Sequence, residues 1–348
     1  MLQIYKVAIG FIVLLLFSSV AQTLPKTERL LSISITESSN KDYGYAFTLA
    51  KDAGMQVTGF SLKWDELEPT PYKYASDPNW FQVINDFFPT QAIAVSLMIG
   101  PIDTNNLRLP PDLADKSFDD PQVIERFKRL LDYVFSEIPQ LGLSSLSIGN
   151  EIDGYLGTNK QLWKEYTYFF QEVSSYARTK RPNLVIGSKI GFWGLTGNSR
   201  ELSADIIRAS DVVMVTYYPL NNDFSVKNPE VVHEDFATLV ELYTNKPIYI
   251  LEAGYPSSPL LNSSESKQAQ FVQEIFKAWD TQSEHIKVLD FLWLHDIPPA
   301  VVEELGGYYR LRDEKFLAYL ATLGLRTHEG QDKEAFKVLK LEAEMRGW

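Results

Sequence analysis

The 348 residues contain no cysteine. That absence excludes disulfides, thiolate metal sites and thiol nucleophiles. Histidine is scarce, and the four present, His233, His285, His295 and His328, lack the paired spacing that zinc sites use. No Gly-x-Ser-x-Gly elbow occurs, so a serine-hydrolase nucleophile is not expected. Basic residues are outnumbered, 33 Lys and Arg against 45 Asp and Glu, for a net charge of −12. A surface of that sign disfavours nucleic acid and anionic membranes as partners. Only one apolar run stands out by length. Val7 to Phe17 follows Lys6 and precedes the small residues Ser19-Val20-Ala21. It reads as a secretory signal over residues 1–21, too short for a comfortable membrane span. The alternative is an uncleaved anchor. A secreted or periplasmic protein of residues 22–348 is expected, monomeric and free of the membrane once the signal is removed.

The chain is well supplied with core and ring residues: 45% hydrophobic and 13% aromatic, with 7 Trp and 18 Tyr. Eight short apolar stretches alternate with helical patterns, with no internal repeat and no low-complexity linker. The stretches begin near Leu30, Val57, Gln91, Leu143, Leu184, Val212, Pro247 and Val288. Strands alternating with helices imply a parallel sheet buried on both faces. Eight such units predict the α/β class and a single (β/α)₈ TIM barrel. An open doubly wound sheet is the alternative, and the lack of a Gly-rich phosphate fingerprint after the first strand argues against it. The closing helix is expected over Lys333 to Met345, with Ile297 to Gly330 a long loop holding one or two short helices.

In such a barrel the site lies at the carboxyl ends of the strands. Ile148-Gly149-Asn150-Glu151 ends the fourth strand, and Glu252 ends the seventh. Two carboxyls at one mouth are the minimum equipment for opening a glycosidic bond, one protonated and one ionised. Either glutamate alone reads equally well as a solvated or ion-paired strand end.

Three stretches carry a resemblance: Ile148-Gly149-Asn150-Glu151-Ile152, Tyr217-Tyr218-Pro219, and Glu252-Ala253-Gly254-Tyr255-Pro256-Ser257. They resemble clan-A retaining glycoside hydrolases, in particular arabinogalactan endo-β-1,4-galactanases and plant-type β-1,3-glucanases. Lys63-Trp64-Asp65-Glu66-Leu67-Glu68-Pro69 is more similar to β-xylanases, so the family within the clan is left open. The resemblance implies hydrolysis of a β-linked glycan without metal or organic cofactor. It makes Glu151 the acid/base and Glu252 the nucleophile. Asn150 would bond the sugar 2-hydroxyl. Tyr218, or Tyr217 given that strand parity is open, would donate to Glu252. Trp293, after the eighth strand, and Trp64 are candidate sugar platforms, with Trp193, Tyr155 and Tyr255 in neighbouring loops; each also reads as ordinary packing. The sequence departs from the clan at the second strand, which carries Lys63 where many members have an Arg supporting the nucleophile. That departure keeps two other readings in play: a carbohydrate-binding barrel without turnover, and a transglycosylase using the same carboxyls.

Overall fold

In the computed structural model, residues 26–74 and 79–348 are described. The expected signal, 1–21, lies outside them. Eight parallel strands run in chain order: β1 Leu30–Ile33, β2 Val57–Lys63, β3 Ala94–Asp103, β4 Leu143–Asn150, β5 in two pieces (Ile186–Gly187 and Lys189–Gly191), β6 Val213–Tyr217, β7 Ile248–Ala253 and β8 Ile286–Phe291. Each pairs with its sequence neighbours. The first piece of β5 pairs with β4 and the second with β6, so the two halves of the sheet join through Ser188. At the other seam β1 pairs with β8, Leu30 opposite Val288 and Ile33 opposite Phe291. Among the described residues the parallel strands therefore close into a ring, the expected TIM barrel.

Local chemistry sets the helical ring. Asp42, Asn79, Asp120, Asn159 and Ser264 each cap a helix by accepting a backbone N–H of its first turn. The helix Pro121–Glu137 begins on its proline, where a missing N–H costs nothing. The edge-to-face and tilted ring cluster of Trp64, Phe127, Phe169 and Tyr166 fills the space between the strands and this side of the ring. One boundary moved informatively, and one expectation gained detail. β2 stops at Lys63, because Trp64–Leu67 forms a helical turn. The segment after β8 holds two helices, Pro299–Tyr308 and Glu314–Ala321, with a small core of their own around Ile297, Val302, Phe316 and Leu320. The closing helix runs Glu334–Arg346.

Candidate active site

The end of β4 is built around a sharp turn. Gly149 sits at φ +86, and a Cβ there would lie 2.6 Å from both Tyr166 Oη and Ile152 Cγ2. No other residue fits that conformation and that space. Glu151 follows, itself left-handed at φ 42. Its Oε2 accepts a 2.8 Å bond from Thr104 Oγ1 after β3, and its Oε1 a 2.7 Å bond from Thr216 Oγ1 on β6. Burial, reinforced by the nearby charge of Glu252, pushes the Glu151 carboxyl up to about 7, against the opposing pull of the Thr216 bond.

Glu252 occupies a different environment. Lys189 Nζ donates to Oε1 at 2.6 Å and Tyr218 Oη to Oε2 at 2.8 Å. The lysine is nearly enclosed, its side chain 6% exposed, so this ion pair is shielded from solvent. The Tyr218 hydroxyl is held well above its ordinary range by burial and then by the Glu252 charge, so it stays a neutral donor. Thr216, which bonds Glu151, stands in sheet register with Glu252. One cavity of about 400 Å³ is lined by both carboxyls together with Asn150, Tyr218 and Trp293. A second, wider chamber of about 870 Å³ shares Glu151 and Tyr218 and continues past Trp193 and Lys227. Beneath Glu252 a chamber of about 190 Å³ is lined by Ser34, Ser96, Ser147, Lys189 and Asp290.

Asn150 donates through Nδ2 to Asp103 Oδ1 at 3.0 Å, and Tyr308 Oη donates to Asp103 Oδ2 at 2.6 Å. The Asn150 amide is thereby fixed in orientation, and its buried Oδ1 has no partner. Strand parity at β6 is resolved as well. Tyr217 points outward, fully buried, its hydroxyl on Asp235 Oδ2 at 2.7 Å, while Tyr218 turns into the cavity.

One sequence expectation fails, and one alternative left open is decided. Trp64 is no sugar platform: it is fully buried, its ring stands edge-on to Phe127, and its Nε1 donates to Glu68 at 2.9 Å. It belongs to the helical turn that ends β2, which rotates it away from the mouth. Lys63 does not support Glu252: at the rim it pairs with Glu66 at 3.3 Å and lies over the Tyr308 ring. The cation beside Glu252 is Lys189, which sequence reasoning passed over. A lysine inside Gly187-Ser188-Lys189-Ile190-Gly191, a strand expected to be buried on both faces, was a signal, since a buried ammonium requires a buried partner. Thr104 and Thr216 carried no such signal. Of the other candidates, Tyr255 packs in the core against Phe271, and His295 is buried with Nδ1 on the Thr36 carbonyl. Trp193 is exposed beside the wider chamber, with Lys227 Nζ 3.6 Å from its ring centre. Among the described residues no cluster of three or more His, Asp or Glu could hold a metal ion.

No protein-family profile matches this chain, and no curated protein does. Solved structures do. The chain is similar to the exo-β-1,4-mannosidase Op5Man5 from Opitutaceae bacterium strain TAV5, at TM-score 0.69 and 16% identity over 93% of this chain and 61% of that one. It therefore spans less than two thirds of that protein. It is also similar to a GH5_18 protein from Streptomyces cattleya bound to Manβ1-4GlcNAc, at TM-score 0.66 and 14% identity, over 91% of this chain and 80% of that one. A family 39 glycoside hydrolase from Bacteroides cellulosilyticus WH2 matches at TM-score 0.62 and 14% identity, over 92% and 64%. At these identities the likeness establishes the barrel fold.

Proposed function

We propose that this protein is a retaining glycoside hydrolase acting on β-linked glycans, with Glu252 as nucleophile and Glu151 as acid/base. The observation that carries the reading is the contrast between two carboxyls in one cavity. Glu151 is raised to about 7 and so holds a proton near neutrality, whereas Glu252 accepts bonds from the Lys189 ammonium and the Tyr218 hydroxyl. In the first step Glu252 attacks the anomeric carbon and forms the C1–O bond. The glycosidic C–O bond breaks, and Glu151 gives its proton to the departing oxygen. In the second, water attacks C1, Glu151 takes the water's proton, and the bond to Glu252 breaks. Net, one glycosidic bond and one water are consumed.

The remaining residues have supporting roles. Asn150, held by Asp103, would meet the 2-hydroxyl, where a bond that tightens in the transition state favours reaction. Trp293 lines the cavity and would stack on the apolar face of the reacting sugar. Tyr218 and Lys189 orient the nucleophile. Lys189 answers the missing strand-two Arg, which was the motive for a barrel without turnover. The similarity to an exo-β-1,4-mannosidase and to a protein bound to Manβ1-4GlcNAc supports trying β-mannosides first. The apolar run after Lys6 supports export as part of the same proposal. The test is digestion of a panel of aryl β-glycosides and β-glycans, read by mass spectrometry, with the released anomer followed by NMR. Retention of configuration is expected, with activity lost in Glu151→Gln and Glu252→Gln on unactivated substrates. An inverted anomer, or full activity in Glu252→Gln, refutes the assignment.

A further inference from the structure

The two helices after β8 lie across the mouth of the barrel and are fastened on both sides of it. On the β3 side, Asn105 Nδ2 donates to the Tyr309 carbonyl at 2.9 Å and Asn106 Nδ2 to the Tyr308 carbonyl at 3.2 Å. Tyr308 is tied again through its hydroxyl to Asp103. On the β6 side, Lys315 Nζ donates to Asp223 Oδ2 at 2.6 Å, and Phe224 packs its ring on Phe316 and Tyr319 at 5.2 and 6.0 Å. Tyr319 also stands edge-on to Tyr218, the partner of Glu252. The segment is thus a strap from β8 that reaches both the β3 and β6 exits.

The strap falls between the two chambers. The smaller cavity, about 400 Å³, is roofed by Leu305, Tyr309, Leu311, Phe316, Tyr319 and Leu320. The wider chamber is lined by Glu151 but not Glu252, and by polar groups of the β4 to β6 exits: Asp153, Asn221, Asn222 and Lys227. The chemistry then fixes which half of a substrate goes where. The sugar whose C1 is attacked must touch both carboxyls, and Asn150 as well. The leaving group needs only the proton of Glu151 and lies on that residue's far side.

Resting on the glycosidase reading above, we infer that the strap makes this an exo-acting enzyme. It takes a single neutral sugar from the non-reducing end of a β-linked glycan into the roofed cavity, while the rest of the glycan leaves through the Trp193 chamber. A substrate cut internally would need an open groove continuing past the attacked sugar, where the strap's apolar side chains stand. The cavity volume lies near the lower end of the roughly 300–1,000 Å³ of small-ligand sites. Neutrality follows from the lining, which offers no Lys, Arg or His to pair with the carboxylate of a uronate.

The test uses the whole protein on neutral β-linked oligosaccharides carrying a fluorophore at the reducing end, separated by length early in digestion. The expected labelled product is one unit shorter, followed by two. Blocking the terminal 4- and 6-hydroxyls with a cyclic acetal should lower kcat/KM by about 100-fold or more, because the added atoms would extend from the far end of the sugar towards the strap's apolar side chains. Mid-length labelled fragments from the outset, or equal rates on blocked and free substrates, would overturn the exo assignment. Glu252-dependent cleavage of aryl glycosides would still uphold the glycosidase reading in that case. No cleavage of any substrate would overturn both.

Discussion

The environment of Glu151 makes a prediction about stability that needs no substrate. Its carboxyl is raised from 4.5 to about 7, chiefly by burial and secondly by the charge of Glu252. At about 1.36 kcal/mol per pH unit that rise corresponds to about 3 kcal/mol, an upper figure because the residue is partly exposed. The folded protein holds this proton over a range in which the unfolded chain has already released it. Folding therefore binds protons there, and the contribution of Glu151 to stability falls as pH rises from 4.5 to about 7, then levels off. Glu151→Gln keeps the shape and the two threonine contacts but has no proton to lose. Relative to the parent, the variant should gain little at about pH 4 and up to about 3 kcal/mol at about pH 8. Urea unfolding of both proteins across this range measures the difference directly. Repeated in a Glu252→Gln background, the gain should shrink but persist, since burial is the larger cause. A difference that does not change with pH would refute the claim that Glu151 is a raised acid, and the acid/base assignment with it. The same value predicts that kcat/KM of the parent falls about tenfold per pH unit above about 7, as the general acid loses its proton.

Other substitutions separate the site from its surroundings. Lys189→Met leaves Glu252 without its ammonium and should cost about 3–5 kcal/mol of stability together with a drop in kcat; unchanged kcat would remove Lys189 from the site. Tyr218→Phe deletes a bond to a charged oxygen, worth about 1.5–3 kcal/mol, and should lower kcat by about 10- to 150-fold. Tyr217→Phe, one residue away but facing Asp235, should move only the unfolding midpoint, so equal kinetic effects in the two variants would contradict the parity of β6. Trp64→Phe leaves Glu68 Oε2, in the buried cluster with Arg126, short of a donor; about 1–3 kcal/mol of stability should be lost with kcat/KM unchanged.

Much of this protein is legible along the chain because its determinants are local. Eight apolar stretches separated by capped helices already imply a parallel barrel, since a strand apolar on both faces needs helices on one side and other strands on the other. The same pattern puts strand ends at one mouth, and so places Glu151 and Glu252 there. What periodicity leaves open is direction within a strand end. Tyr217 and Tyr218 differ only in which face each takes, and that is set by the pairing of β6 with β7. Trp64 looked like a rim residue until a helical turn rotated it into the core. Lys63 and Lys189 are both lysines near strand ends, and only closure of the sheet brings the second, and not the first, against Glu252. The strap is the clearest case. Its two short helices are legible in the residues after β8, but the bonds that hold it, Asn105 to Tyr309 and Lys315 to Asp223, join positions 204 and 92 residues apart. Sequence determined the barrel and its two acids through nearest-neighbour patterning. Tertiary structure alone decided which cation, which tyrosine and which roof they meet, because those contacts exist only once distant strands are brought around a common axis.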